Sequence, residues 1–297
     1  MKILLTNAFL DLPGGTENWV KTIGLALQKL NHEISIFTLR KGNFSRHLAG
    51  LGWEVTDYFD SGKYFDAALV NHNCCLRSIL EKRKRFYPLV FTSHSPFEEL
   101  ERPFSGADVY VSVSEETKER SDALGFTSNL IRNPIDTFLF REYEPIQNSI
   151  KRILLVSHRQ MEVKIFKKLA KALKAKIDFI GHKNKKVSYE VFIDINRADL
   201  VLSLGRGCLE AMSCGRNVVV AGRFGLDGFI DNDSILELRK FNCSGRRFNR
   251  TKYDLDDLLA EAEKYNAAQG AKNRQYILNN NAADLIAGQY IKLLDDI

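Results

Sequence analysis

One construction occurs twice in this chain: a short run of apolar residues, a glycine-containing turn, and then a helix with one apolar face. The first copy runs from residues 3–5 through Asn7 to Gly14-Gly15, after which Thr16 can cap a helix carrying Val20, Ile23, Leu27 and Leu30 on one side. The next apolar run, residues 34–39, is then a parallel neighbour, because a crossover helix separates the two. Residues 67–71, 88–92 and 109–113 read as further buried strands, which makes the first half an open α/β sheet. A polar interval at 141–151 interrupts the pattern. A strand at 152–157, a basic helix at 162–174 and strands at 176–181, 200–204 and 217–221 then rebuild it.

The expected architecture is therefore α/β, with two Rossmann-like domains facing a central cleft. Residues 1–147 form the N-terminal domain and 148–281 the C-terminal domain, with the break at 145–151. The last periodic segment, 282–294, forms a helix within 282–297 that packs on its own half or crosses back to the first. A length of 297 residues fits two such domains, at about 150 residues each.

Composition narrows the classes further. The 43 Lys and Arg against 37 Asp and Glu leave +6, spread along the chain with no basic arm, and the aromatics lie within apolar runs. That permits an anionic small molecule and argues against nucleic acid. No stretch reaches the roughly 18 apolar residues of a spanning helix, and the first residues read as a buried strand instead of a secretory peptide. Five cysteines with no CxxC pair imply neither a structural zinc nor a disulfide framework, and they suit a reducing, cytoplasmic setting.

Ligands of parallel sheets bind where strands end and helices begin, since backbone N–H groups remain unpaired there. Gly14-Gly15 lies at such a place, either letting a ligand approach the backbone or simply making a tight turn; neither a GK[ST] loop nor GxGxxG is present. The segment 203–215, SLGRGCLEAMSCG, is more informative. Gly205 and Gly207 allow close contact and Arg206 adds a cation. Glu210, one turn into the helix, can accept two ribose hydroxyls or make a cap or salt bridge. Cys208, Met212 and Cys214 read as packing residues.

Arg159 and Lys164, five residues apart after the first strand of the second half, suit a diphosphate, within a helix whose other lysines read as a solvated face. His94 directly follows a predicted strand and can bond a sugar hydroxyl or move a proton. His72 has no evident chemical partner, and Glu98, Glu99 and Glu101 read as a solvated acidic run instead of a metal site.

Together Gly14-Gly15-Thr16-Glu17, His94, the VSVSEETKE run at 111–119, Asn133-Pro134-Ile135-Asp136, Arg159 to Lys164 and GRGCLEAMSCG resemble the GT4-type retaining glycosyltransferases of GT-B fold, over about residues 1–221. The resemblance implies transfer of a sugar from a UDP- or GDP-sugar to a glycan, lipid-linked or small-molecule acceptor with retention at the anomeric carbon. It also implies that no cofactor is tightly bound and that a divalent metal is not required. Arg159 and Lys164 would hold the diphosphate, Glu210 the ribose, and His94 the transferred sugar. Gly14 and Gly15 would line the phosphate and acceptor region, and Gly205, Arg206 and Gly207 would take up donor contacts. Asn133-Pro134 would mark the turn towards the interdomain linker.

Family members usually carry a first glutamate eight residues before the ribose glutamate, and here that position is Leu202. Asp227, in Gly225-Leu226-Asp227-Gly228, could compensate or merely make a turn. Two other readings stay open, a non-catalytic nucleotide-sugar-binding or assembly protein and a nucleotide-sugar epimerase or hydrolase. With a lipid-linked acceptor the basic helix could meet an anionic membrane face, or its apolar positions simply cover the second sheet.

Overall fold

The computed structural model describes residues 1–157, 163–181 and 188–297, and they divide into two units: Met1–Pro134 with Ala283–Ile297, and Ile135–Ala282. In the first unit the strands β1 (Lys2–Leu10), β2 (Glu33–Lys41), β3 (Glu54–Thr56), β4 (Ala67–Asn71), β5 (Leu89–Ser93), β6 (Val109–Ser112) and β7 (Ser128–Leu130) form one parallel sheet in the order β3-β2-β1-β4-β5-β6-β7. The winding reverses between β1 and β4, where open α/β sheets bind ligands.

Alternate residues of each strand supply opposite faces, so both faces are apolar. Ile3, Leu5, Ile36, Leu69, Val90 and Val111 belong to one core. Helices α1 (Gly15–Lys29) and α2 (Asn43–Ala49) cover it together with the C-terminal helix (Ala283–Asp295). Leu4, Phe37, Ala68, Val70, Leu89 and Phe91 belong to the other, under α3 (Asn73–Lys82). Helix α4 (Glu115–Ala123) lies beside β6 and β7, capped by the Ser114 hydroxyl, which accepts the Thr117 N–H at 3.2 Å. The C-terminal helix is tied in by a buried bond of 3.0 Å between the Tyr290 and Thr92 hydroxyls.

The structure corrects two local expectations. Gly14 takes the N-cap position of α1, so Thr16 lies inside the helix. Leu30 is the C-cap and is 44% exposed, whereas Val20, Ile23 and Leu27 are fully buried. The three-residue strands β3 and β7 were not expected, being too short to show a period.

In the second unit β8 (Arg152–Val156), β9 (Lys176–Ile180), β10 (Leu200–Ser203), β11 (Asn217–Gly222) and β12 (Gly225–Phe229) stand in the order β12-β11-β10-β8-β9. Only β12 is antiparallel to its neighbour, joined to β11 by the tight turn Arg223-Phe224. One face, with Leu154, Val201, Val218 and Val220, packs in a core with Cys208, Leu209 and Met212 of α7 (Arg206–Ser213). The other, with Ile153, Leu155, Leu202 and Val219, packs with residues of α5 (Lys164–Ala172) and α9 (Leu255–Ala262). Helices α6 (Val191–Asn196), α8 (Ser234–Leu238) and α10 (Ala267–Asn280) complete the unit.

The division between units falls at Pro134, ahead of the polar interval expected to mark it, and the C-terminal helix belongs to the first unit. Buried polar groups hold the intervening segment onto the second unit. Arg216, 1% exposed, donates from Nε to the Cys214 carbonyl at 2.9 Å, from Nη1 to the Ala198 carbonyl at 3.3 Å and from Nη2 to the Glu144 carbonyl. Arg274 donates to the Phe140 and Ser213 carbonyls at 3.1 and 2.5 Å. Asn196 accepts the Tyr143 N–H at 2.7 Å, and Asp199 accepts the Gln147, Lys151 and Arg152 N–H groups. Polar composition made 141–151 resemble a linker; its backbone is instead satisfied by side chains of the core.

Arg216→Ala strips three carbonyls of a charged donor, and urea-induced unfolding should show a loss of about 3 kcal/mol. A change within 0.5 kcal/mol would mean that the segment is held some other way.

Candidate functional site

In the second unit the carboxyl end of β10 runs into α7 through Leu204 and Gly205 alone. Gly205 has φ +61° and ψ −131°, a combination open essentially to glycine, and its N–H donates to the Cys243 carbonyl at 2.7 Å. A Cβ at Gly207 would lie 2.3 Å from the Ser203 hydroxyl, so the missing side chain lets the first turn of α7 sit against its own strand. The helix start thus brings its positive dipole end to the sheet edge, favourable for a negative group.

Arg206 and Glu210 are four residues apart on one face of α7, and Nε meets Oε1 at 2.7 Å with both side chains over 90% buried. The salt-bridge alternative for Glu210 is therefore realised, and a ribose would have to be accepted beside that pair. Lys164 is exposed at the first residue of α5, and Arg159 lies outside the described residues. A cation at a helix N-terminus is the wrong sign for the helix dipole and the right sign for an anion held there.

Leu202 is buried on β10, between Leu155 and Val219. A carboxylate at this position would enter the apolar core instead of the ligand edge, so the missing glutamate cannot be sought there. Asp227 lies within β12, and its carboxylate accepts the Arg247 and Phe248 N–H groups at 3.1 Å each. Burial raises its pKa while those backbone bonds oppose the rise. Asp227 thereby fixes the backbone at Arg247 and Phe248. Burial pushes the Cys214 thiol up to about 12 and the Cys208 thiol well above its usual range, so both are packing residues as expected.

In the first unit the carboxyl ends of β1, β4 and β5 bring together Gly14, Asn71, His72 and His94. Asn71 pairs with Thr92 across the parallel strands, which sets His94 beside it, and His94 Nε2 donates to the Asn71 Oδ1 at 3.0 Å. The His94 ring stands edge-on to Trp19, with centroids 5.4 Å apart. His72 follows β4 at φ +69°, a left-handed value that non-glycine residues seldom hold, and its Nδ1 accepts the Ala8 N–H at 2.9 Å. Burial lowers its pKa to about 4. Glu101, expected in a solvated run, is buried: Oε2 accepts the His94 N–H at 2.5 Å and Oε1 lies 3.9 Å from His72 Nε2. Burial, with Glu98 and Glu17 nearby, raises its pKa to about 8.

The glycine pair contributes differently from expectation. A Cβ at Gly14 would lie 2.4 Å from the Glu17 Oε2, so the chain's own carboxyl covers this turn, with its pKa raised by burial; Gly15 faces open space. Sequence reasoning thus located His94 but missed Trp19, Asn71, His72 and Glu101 around it. Asn71 alone carried a signal, as the last residue of a strand adjacent to that of His94. Among the described residues no three His, Cys, Asp or Glu side chains are grouped to hold a metal ion, and no helix is long and apolar enough to cross a membrane.

No protein-family model matches the sequence, and no curated protein does. Solved structures do match over the whole chain. Anabaena Alr3699/HepE, in complex with UDP and glucose, superposes with a TM-score of 0.67 at 15% identity, covering 100% of both chains. An S. aureus TarM variant in complex with Fondaparinux, alpha-GlcNAc-glycerol and UDP gives 0.64 at 11%, covering 99% of this chain and 100% of that one. A Listeria monocytogenes protein assigned as a UDP-N-acetylglucosamine 2-epimerase gives 0.61 at 13%, covering 98% and 94%. At these identities the likeness is one of fold: two Rossmann-like α/β units, the architecture of the GT-B fold.

Proposed function

We propose that the chain is a retaining glycosyltransferase of the GT4 type that moves a sugar from a UDP- or GDP-sugar to a glycan, lipid-linked or small-molecule acceptor. The observation that carries this reading is the full-length fold likeness to Anabaena Alr3699/HepE in complex with UDP and glucose, combined with a glycine-opened helix start at Gly205 bearing Arg206 and Glu210. Gly205 and Gly207 let the donor approach the start of α7 closely, and Glu210 accepts ribose hydroxyls while still paired to Arg206. Arg159 and Lys164 hold the diphosphate. Their contribution grows as the glycosidic bond breaks and charge collects on the leaving phosphate.

In the first unit His94, fixed by Asn71, binds a hydroxyl of the transferred sugar. With no protein nucleophile assigned, departure and attack occur on the same face of the sugar, and the leaving phosphate takes the acceptor's proton. The positive field comes from side chains and helix amides, so no divalent metal is needed for the step. We place the protein in the cytoplasm, with membrane contact only if the acceptor is lipid-linked.

Leu202, an apolar buried residue where the resemblance expects a carboxylate, favours one second reading, a protein that binds nucleotide-sugars without transferring them. A panel of UDP- and GDP-sugars followed by mass spectrometry, first alone and then with glycan and lipid acceptors, separates the two. Acceptor-dependent release of nucleotide supports transfer, and binding without release supports the alternative. NMR of the product should show the donor's anomeric configuration retained; an inverted product would overturn the mechanism.

Lys164→Ala should lower kcat by about 10²-fold with little change in donor affinity, because its charge acts mainly in the transition state. Glu210→Gln should instead weaken UDP binding by roughly tenfold, equivalent to about 1.4 kcal/mol, in isothermal titration. Turnover in excess EDTA should equal turnover without it.

A further inference from the structure

The transfer reaction leaves one buried carboxyl of the first unit unused, that of Glu101. We propose that Glu101 is the positioning residue of His94, and that together with His72 it makes the loop from His94 to Glu101 responsive to proton concentration. The positioning part rests on the reading of His94 as a sugar contact; the proton response does not.

Glu101 closes this loop at both ends. Its carboxyl accepts backbone N–H groups of His94, at 2.5 Å, and Ser95, while its carbonyl accepts the Ser93 hydroxyl at 2.9 Å. Across the sheet edge its second oxygen lies 3.9 Å from His72 Nε2. Because His72 Nδ1 accepts the Ala8 N–H, the imidazole proton is on Nε2, towards Glu101. The charged groups facing the carboxyl are Glu98 on the same loop and Glu17 on α1, both opposing its ionisation, with the imidazoles of His72 and His94 alongside.

Burial therefore leaves both partners neutral at pH 7, with Glu101 at about 8 and His72 at about 4. The signs are opposite. A raised carboxyl gives stability that is full below 4.5 and is lost as the pH rises through 8. A lowered imidazole gives stability that is present above 6.5 and lost as the pH falls through 4. Between 4.5 and 6.5 an unfolded chain would carry a proton on the imidazole where the folded one carries it on the carboxyl. Folding there takes up no net proton from this pair. From 6.5 to 8 the carboxyl acts alone: stability falls as the buried Glu101 gives up its proton, while the bonds from the His94 and Ser95 N–H groups favour the ionised form and limit the fall.

Trp19 provides the readout, since its ring meets that of His94 at 5.4 Å and the chain has only one other tryptophan, Trp53. In Trp53→Phe protein the fluorescence of Trp19 should change in a single step between pH 7 and 9, with a midpoint near 8. Adding Glu101→Gln should abolish the step. Adding Glu98→Gln, at an exposed site, should lower the midpoint by a few tenths of a pH unit, the size of one solvent-screened charge interaction. A flat Trp53→Phe titration, or a step unchanged by Glu101→Gln, overturns the proposal. If Glu101→Gln does not fold, an unmoved midpoint in Glu98→Gln does the same. The titration uses no donor, so its failure is separate from any failure of the transferase reading.

Discussion

A parallel sheet that buries both faces leaves few places for chemistry. Its strands are satisfied sideways by their neighbours and covered above and below by helices, so unpaired backbone groups collect only where strands give way to helices. Both units obey this constraint, and nearly every side chain proposed as a ligand contact lies at such an edge. At the antiparallel β12, the Asp227 carboxylate is engaged by the Arg247 and Phe248 N–H groups.

The two edges are chemically unlike. That of the first unit holds carboxyls pushed towards neutrality and an imidazole kept neutral by burial, a setting suited to hydroxyl groups and poor for phosphate. That of the second has the start of α7, a buried Arg206 and an exposed Lys164, which suit phosphate. The proposed assignment of a transferred-sugar hydroxyl to the first unit and of the diphosphate to the second follows this difference in charge more closely than it follows the glycine pair, since Glu17 covers Gly14 with a carboxyl.

The longer strands were readable because burial on both faces writes a run of apolar residues, and β4 matches its expected bounds of 67–71. The turn at Gly205 was readable for a related reason, as few residues other than glycine can adopt its φ and ψ. Arg216, Glu101 and Asp199 were not readable. Each is a charged residue whose burial depends on partners far along the chain, and composition assigns charged residues to the surface. The segment 141–151 was misread on the same ground: polar residues whose backbone is held by Asn196, Asp199 and Arg216 look identical to a solvated linker until those partners are in place.

The C-terminal helix also bears on how the protein is made. Ile286, Ala287, Tyr290 and Leu294 share a core with Trp19, Ile23 and Leu27, residues translated before the whole of the second unit. Until the helix at Ala283–Asp295 emerges, that face of the first sheet is covered by α1 and α2 alone, whereas every described strand and helix of the second unit has already been made. The first unit is thus completed after the second, and its partly covered apolar face is a surface in need of protection by chaperones during translation.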